Sequence, residues 1–248
     1  MRTLTEPVTT GRTAVAVAWL VHLYTAVGVV LAALVVMAAW DGQQVKALWL
    51  MLAALVIDGT DGTLARAVAV KTHVPWFDGA MLDNIVDYLT YAFAPMILLW
   101  AGGYLGSGAW ATVLAVVPLV ASAYQFCRVD AKTDDHFFLG FPSYWNVVAF
   151  YVIVLDLPRA IVALVLVICA VMVFVPVKYL YPSRTEAFRT PTVVLTAVWM
   201  LTYAVLLWQM PSPGAIWVTL SLGYVLYYVA VSVLLTVRHQ HQHQHLTR

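Results

Sequence analysis

Charge is scarce in this chain. Asp, Glu, Lys and Arg make up 10% of its 248 residues, against about 25% in a soluble domain, while 63% of the residues are hydrophobic. That balance excludes a soluble globule and predicts an all-α, polytopic integral membrane protein. Cysteine is almost absent. Cys127 and Cys169 lie in or beside apolar segments and read as small buried hydrophobes rather than a disulfide. A basic tract is also missing and the formal net charge is +1, so no nucleic-acid partner is expected. There is no soluble domain, no long linker and no repeat of fixed period, so residues 1–248 read as a single membrane domain. The first apolar stretch resembles the later ones and is too long for a cleaved signal peptide.

A membrane helix needs about 20 apolar residues. Eight runs read as such helices: 13–39, 44–66, 80–101, 108–127, 143–157, 160–180, 191–209 and 214–237, the fifth being the shortest. Turn formers separate them, among them DGQ at 41–43, HVP at 73–75, GGYLGSG at 102–108, LP at 157–158 and PSPG at 211–214. With the N-terminus in the cytoplasm, eleven of the thirteen Lys and Arg residues fall on inside segments (Arg2, Arg12, Arg66, Lys71, Arg128, Lys132, Lys178, Arg184, Arg189, Arg238 and Arg248). The other two, Lys46 and Arg159, fall outside. Eight crossings then put both termini in the cytoplasm.

Against this apolar background the sequence places a cluster of acids. Five of the twelve acidic residues lie between positions 58 and 87: Asp58, Asp61, Asp78, Asp83 and Asp87. The stretch DGTDGTLAR, 58–66, follows the apolar run LWLMLAALVI. Asp58 comes about 20 Å along a helix that turns apolar near Val45, past the middle of a hydrocarbon core about 30 Å thick. An uncompensated carboxylate there costs roughly 2.5–3.5 kcal/mol on insertion scales. Asp58 and Asp61 are spaced i, i+3, and Asp83 and Asp87 are spaced i, i+4, so each pair shares a helix face. Two consecutive helices can aim both pairs at one point. Arg66 cannot neutralise four carboxylates, whereas hard divalent cations prefer such oxygens, and four of them can hold two ions. Gly59 and Gly62 strip side chains from one wall, so a phosphate can approach the backbone, and Gly79 can do the same opposite. Asp78 falls outside these pairs and reads as a helix N-cap.

Together these residues give Asp58-x2-Asp61-Gly62-x2-Ala65-Arg66-x12-Gly79-x3-Asp83-x3-Asp87. The pattern resembles the signature of the CDP-alcohol phosphatidyltransferases, membrane enzymes that join a CDP-activated lipid to an alcohol. The usual gap between the Arg and the next Gly is eight residues. Here it is twelve, with the extra four inside AVAVKTHVPWFD. That longer gap, and FFLGFPSYWNVVAFY at 137–151, are similar to the bacterial branch that uses choline as acceptor.

The resemblance implies roles by position. Asp58, Asp61, Asp83 and Asp87 would hold two divalent ions, Mn²⁺ or Mg²⁺, with Asp83 and Asp87 catalytic and Asp87 the base. Gly62, Ala65, Arg66 and Gly79 would line the CDP site. The implied substrates are CDP-diacylglycerol and choline, with membrane lipid around the protein. The implied location is the bacterial inner membrane, with the site toward the cytoplasm. Family members are often homodimers, which makes a homodimer a further expectation.

Choline is a permanent cation without an N–H donor, so aromatic faces and nearby carboxylate suit it. The candidates for that contact are Tyr91, Phe141, Tyr144 and Trp145, although membrane proteins also concentrate Trp and Tyr at interfaces as anchors. Arg128 and Lys132 read as inside anchors. The tail 239–248, with four alternating histidines, reads as disordered rather than as a metal site. Two rival functions remain open at this stage. One is the same chemistry with serine, inositol or glycerol phosphate as acceptor. The other is a cation transporter, against which stands the absence of a matching acidic cluster in 143–237.

Overall fold

The computed structural model describes residues 11–246 except 134 and 183, with side chains as far as Arg238. Arg2 and Arg248 therefore lie outside the described residues. Ten α-helices and one two-stranded ribbon are described. Helix α1 (Arg12–Trp40) lies along α2 (Gln44–Ala67) and also along the third span. The α1–α2 turn is closed by Gly42 in the left-handed region. The Gln43 N–H donates to the Ala38 carbonyl (2.8 Å) and the Gly42 N–H to that of Ala39 (3.2 Å). Both are orphan acceptors of the helix end.

The twelve-residue gap is not an open loop. It folds into a single turn, α3 (Val70–His73), entered through Ala69 in the left-handed region. Val70 and Val74 are buried there against Ala18 and Val21 of α1.

The third span, Gly79–Ala101, is composite. It starts as α4 (Gly79–Asp87), widens into a π-helical turn (Tyr88–Phe93) and resumes as α5 (Ala94–Ala101). Pro95 lacks an N–H and its ring crowds the carbonyl four residues back, a reason for the ladder to widen where it does. The widening starts at the residue after Asp87 and rotates everything beyond it relative to the acids.

Helix α6 (Gly108–Cys127) is the fourth span. The fifth and sixth apolar runs are shorter than expected. They form α7 (Trp145–Val154) and α8 (Arg159–Met172), about 15 and 21 Å long at 1.5 Å per residue, short of a core of about 30 Å. Asp156 in the left-handed region and then Pro158 end α7. Beyond Met172 the expected helix 160–180 gives way to a strand, because Pro176 cannot continue a helix. Strand β1 (Phe137–Leu139) pairs antiparallel with β2 (Lys178–Leu180), with Phe138 opposite Tyr179. Gly140 sits at φ +83°, where a Cβ would run into the Val173 carbonyl.

Helix α9 (Arg189–Trp208) and α10 (Ala215–Leu246) complete the chain. Among the described residues six helices are thus long and apolar enough to cross a membrane: the spans 12–40, 44–67, 79–101, 108–127, 189–208 and 215–238. The backbone of α10 stays helical through the stretch expected to be disordered, as far as Leu246. Extending an existing helix avoids the cost of nucleating one.

The largest enclosed side chains are aromatic. Trp145, Phe150 and Tyr203 are fully enclosed, and the Phe150 and Tyr203 rings stack at 3.7 Å. The Trp145 indole N–H donates to Ser122 Oγ (2.6 Å), as a buried polar atom requires. The Tyr203 hydroxyl ties α9 to α2 by donating to the Leu48 carbonyl (3.3 Å). On the outer side of β2, α10 supplies side-chain partners. Thr236 Oγ1 accepts from the Lys178 N–H (2.9 Å), Ser232 Oγ accepts from the Leu180 N–H (3.1 Å), and the Tyr228 hydroxyl donates to the Leu180 carbonyl (2.8 Å).

Candidate active site

Helix α2 is unbroken through Ala67, so Asp58 and Asp61 both stand on helix. Asp83 and Asp87 stand one turn apart on α4, whose start is fixed by Asp78. The Asp78 carboxylate accepts from the N–H groups of Ala80 and Met81, both at 3.0 Å, which is the expected N-cap.

Three of the four acids meet. Asp58, Asp83 and Asp87 each place a carboxylate oxygen within 4.8 Å of the others, and all three are half-buried. The fourth, Asp61, is outside that triangle. It is buried, and its Oδ2 accepts a hydrogen bond of 2.8 Å from Thr25 Oγ1 of α1. Asp58 Oδ2 in turn accepts from the Tyr91 hydroxyl at 2.6 Å. Tyr91 sits in the π-helical turn, which aims a ring from beyond Asp87 back at α2.

Positive charge approaches from two sides. Arg66 is exposed, and its Nη2 donates to Thr63 Oγ1 (2.9 Å) rather than to any acid of the cluster. Lys132, read from sequence as an anchor, acts electrostatically on Asp83 and Asp87. Arg128 is engaged elsewhere, forking onto Asp130 through Nε and Nη2, both at 2.7 Å. The Arg128 hydrogen bonds hold the exposed Asp130 carboxyl below the usual carboxylate range. Among the described residues the ion pairs are Arg128–Asp130 and Lys178–Asp135, so no ion pair neutralises the acidic triangle.

The glycines divide. A Cβ at Gly59 would meet nothing within 4 Å, and one at Gly62 would meet only the Arg66 guanidinium (3.4 Å). That wall is open. Gly79 instead packs on His22 of α1, where a Cβ would stand 2.6 Å from the imidazole Cε1. Close helix packing alone therefore accounts for Gly79. Ala65 is half-buried against the Val70–Val74 contact.

The aromatic candidates divide as well. Tyr91 and Tyr144 face each other with ring centres 5.7 Å apart, beside Asp58. Trp145 is fully enclosed and its one polar atom is taken by Ser122, so it does not open onto the acids. Phe141 packs edge-on against Trp145 at 5.1 Å. Sequence reasoning missed Thr25 and did not place Lys132 by the acids. Both come from segments far from the signature, and neither is signalled by spacing.

The donor chemistry is that of a hard-cation site. Carboxylate oxygens from two helices converge, flanked by hydroxyls, with an open glycine wall and an exposed guanidinium alongside. Residues 16–237 match the family model described as CDP-alcohol phosphatidyltransferase. Several relatives carry the name phosphatidylcholine synthase, three of them as follows. The protein of Pseudomonas aeruginosa is 42% identical over 217 residues, 86% of this chain and 90% of the relative. That of Legionella pneumophila is 41% identical over 223 residues, 87% of each. That of Borreliella burgdorferi is 35% identical over 221 residues, 88% of this chain and 94% of the relative.

Proposed function

The chain belongs to the CDP-alcohol phosphatidyltransferase family, and we propose that it is a choline-dependent member, moving the phosphatidyl group of CDP-diacylglycerol onto choline with release of CMP. The observation that carries this reading is the meeting of Asp58, Asp83 and Asp87 from two spans, in a chain matched over most of its length by phosphatidylcholine synthases. The residues fit a divalent metal. Asp58, Asp83 and Asp87, with Asp61 behind them, would hold Mn²⁺ or Mg²⁺, as two ions. When bound, the metal neutralises the diphosphate and the departing CMP.

The chain's own residues do the rest. The open wall at Gly59 and Gly62 admits the CDP phosphates beside Ala65, Arg66 offers them charge, and Gly79 keeps α4 close on α1 at the edge of that site. Asp83 and Asp87 frame the reacting phosphorus. Asp87 takes the choline hydroxyl proton as that oxygen bonds to the phosphorus bearing diacylglycerol, while the bond from that phosphorus to the CMP oxygen breaks. Tyr91 and Tyr144 stand where the choline cation would face aromatic rings and Asp58 together. Phe141 and Trp145 pack edge-on against each other, next to Tyr144 in the chain.

The protein would sit in the bacterial inner membrane with both termini and the site toward the cytoplasm. The Lys and Arg distribution favours this orientation. Parity supports a common side for the termini, because α7 and α8 either both cross, making eight spans, or dip in and return. A homodimer completes the proposal, and the mass of the detergent-solubilised protein tests it.

The deciding experiment gives purified protein CDP-diacylglycerol and Mn²⁺ with labelled choline, serine, inositol or glycerol phosphate in separate tubes. Labelled phosphatidylcholine with CMP from choline alone is the expected result, abolished by EDTA and restored by Mn²⁺ or Mg²⁺. Product from another acceptor overturns the choline assignment. Turnover indifferent to chelation overturns the metal.

A further inference from the structure

Trp145, Phe150 and Tyr203 are fully enclosed. Four rings near the acids are not. Phe138, Tyr144, Tyr181 and Tyr228 are each only half-buried. They come from four separate places: β1, the residue before α7, the residue after β2, and α10. They nevertheless converge. Phe138 stacks on Tyr181 at 4.6 Å and meets Tyr144 edge-on at 6.3 Å, and Tyr144 lies 6.1 Å from Tyr228. Tyr144 also faces Tyr91, whose hydroxyl is on Asp58.

Through Tyr91, whose hydroxyl is on Asp58, this group borders the acidic triangle. Burial pushes the Tyr181 hydroxyl above the ordinary phenol range; Asp58 and Asp83 add to that, and Lys132 and Arg184 oppose it. An interfacial anchor ring faces lipid headgroups. These rings meet one another, and Tyr144 meets the ring whose hydroxyl is on Asp58, an environment that suits a quaternary ammonium group.

We infer that Phe138, Tyr144, Tyr181 and Tyr228 form the acceptor subsite, an aromatic wall that selects a quaternary ammonium alcohol by its cationic head while the hydroxyl points at the acids. The inference rests on the proposed transfer to choline and goes further by assigning selectivity to rings contributed by the second half of the chain. Tyr228 has a second task, since its hydroxyl holds β2, so substitutions there mix two effects. Phe138 and Tyr181 are the cleaner probes.

The test compares choline with 3,3-dimethyl-1-butanol, its neutral isostere, at saturating CDP-diacylglycerol. Wild type, Tyr181→Leu, Phe138→Leu and the ring-retaining Tyr181→Phe are measured for KM and kcat with each acceptor. Loss of a ring is expected to raise KM for choline about tenfold while leaving KM for the isostere and for CDP-diacylglycerol within about twofold, and Tyr181→Phe is expected to stay near wild type. On wild type alone, tetramethylammonium is expected to compete with choline. Equal loss for both acceptors, a change confined to CDP-diacylglycerol, or no competition by tetramethylammonium overturns the aromatic wall and leaves the transfer reaction standing. A wild-type protein that makes no product from choline overturns the reaction and the wall together.

Discussion

Thr25 offers a direct test of the site, because it lies on α1, outside the signature, and touches the acids through one bond. Its Oγ1 donates to Asp61 Oδ2 at 2.8 Å, and both side chains are buried. Thr25→Val keeps the shape and removes the donor. A hydrogen bond to a charged group is worth about 1.5–3 kcal/mol, and the partner left behind here is a buried carboxylate. At about 1.4 kcal/mol per factor of ten, that is roughly 10- to 100-fold. Loss of a partner that orients a metal-binding carboxylate has effects of about the same size. The effect should fall on metal use. The Mn²⁺ concentration for half-maximal turnover should rise and kcat/KM for CDP-diacylglycerol should fall, while Thr25→Ser should behave as wild type. The assay is CMP release across a Mn²⁺ titration, with thermal unfolding in detergent as the control for fold. If Thr25→Val shows an unchanged Mn²⁺ half-point and kcat/KM, within twofold, then Asp61 does not depend on Thr25 and the placement of this acid at the metal site fails.

Asp83→Asn and Asp87→Asn should each lower turnover by at least about a hundredfold without loss of folded protein, and near-normal CMP release in either would remove that residue from the chemistry. Tyr91→Phe deletes the donor to Asp58 and should cut kcat/KM by about tenfold while keeping the ring. An unchanged rate would mean that the 2.6 Å bond has no bearing on turnover. Gly140→Ala forces a side chain onto backbone at φ +83° against the Val173 carbonyl. It should destabilise by at least about 1–2 kcal/mol, read as a lower unfolding temperature in detergent.

The spans and the acids were legible in the sequence for different reasons. Spans follow from length and hydropathy, which survive any packing arrangement. The carboxylate pairs follow from helical spacing, which needs only that α2 and α4 be helices. Asp78 as a cap was legible because capping is local. The failures share a cause as well. Hydropathy ran the sixth helix on to residue 180, although Pro176 forbids it, because VFVPVKYL is as apolar as a span. The strand there is set by partners on α10, more than fifty residues away. Spacing says which face Asp61 occupies, and says nothing of the threonine 36 residues earlier that donates to it. Tyr181 and Tyr228 carry no local mark that separates them from lipid-facing rings.

The tie between β2 and α10 fixes an order of events during synthesis. All the acids are in place by residue 87, yet the N–H groups of Lys178 and Leu180 have no partner until Ser232 and Thr236 have emerged from the ribosome and entered the bilayer. Tyr181, next to that strand, and Tyr228, on that helix, are held by the same join. The half of the protein proposed to handle nucleotide can thus be assembled while the half proposed to recognise the alcohol is still unmade. A nascent chain stalled before its last helix would carry the acids without a finished acceptor wall, and selectivity would be the last property the protein acquires.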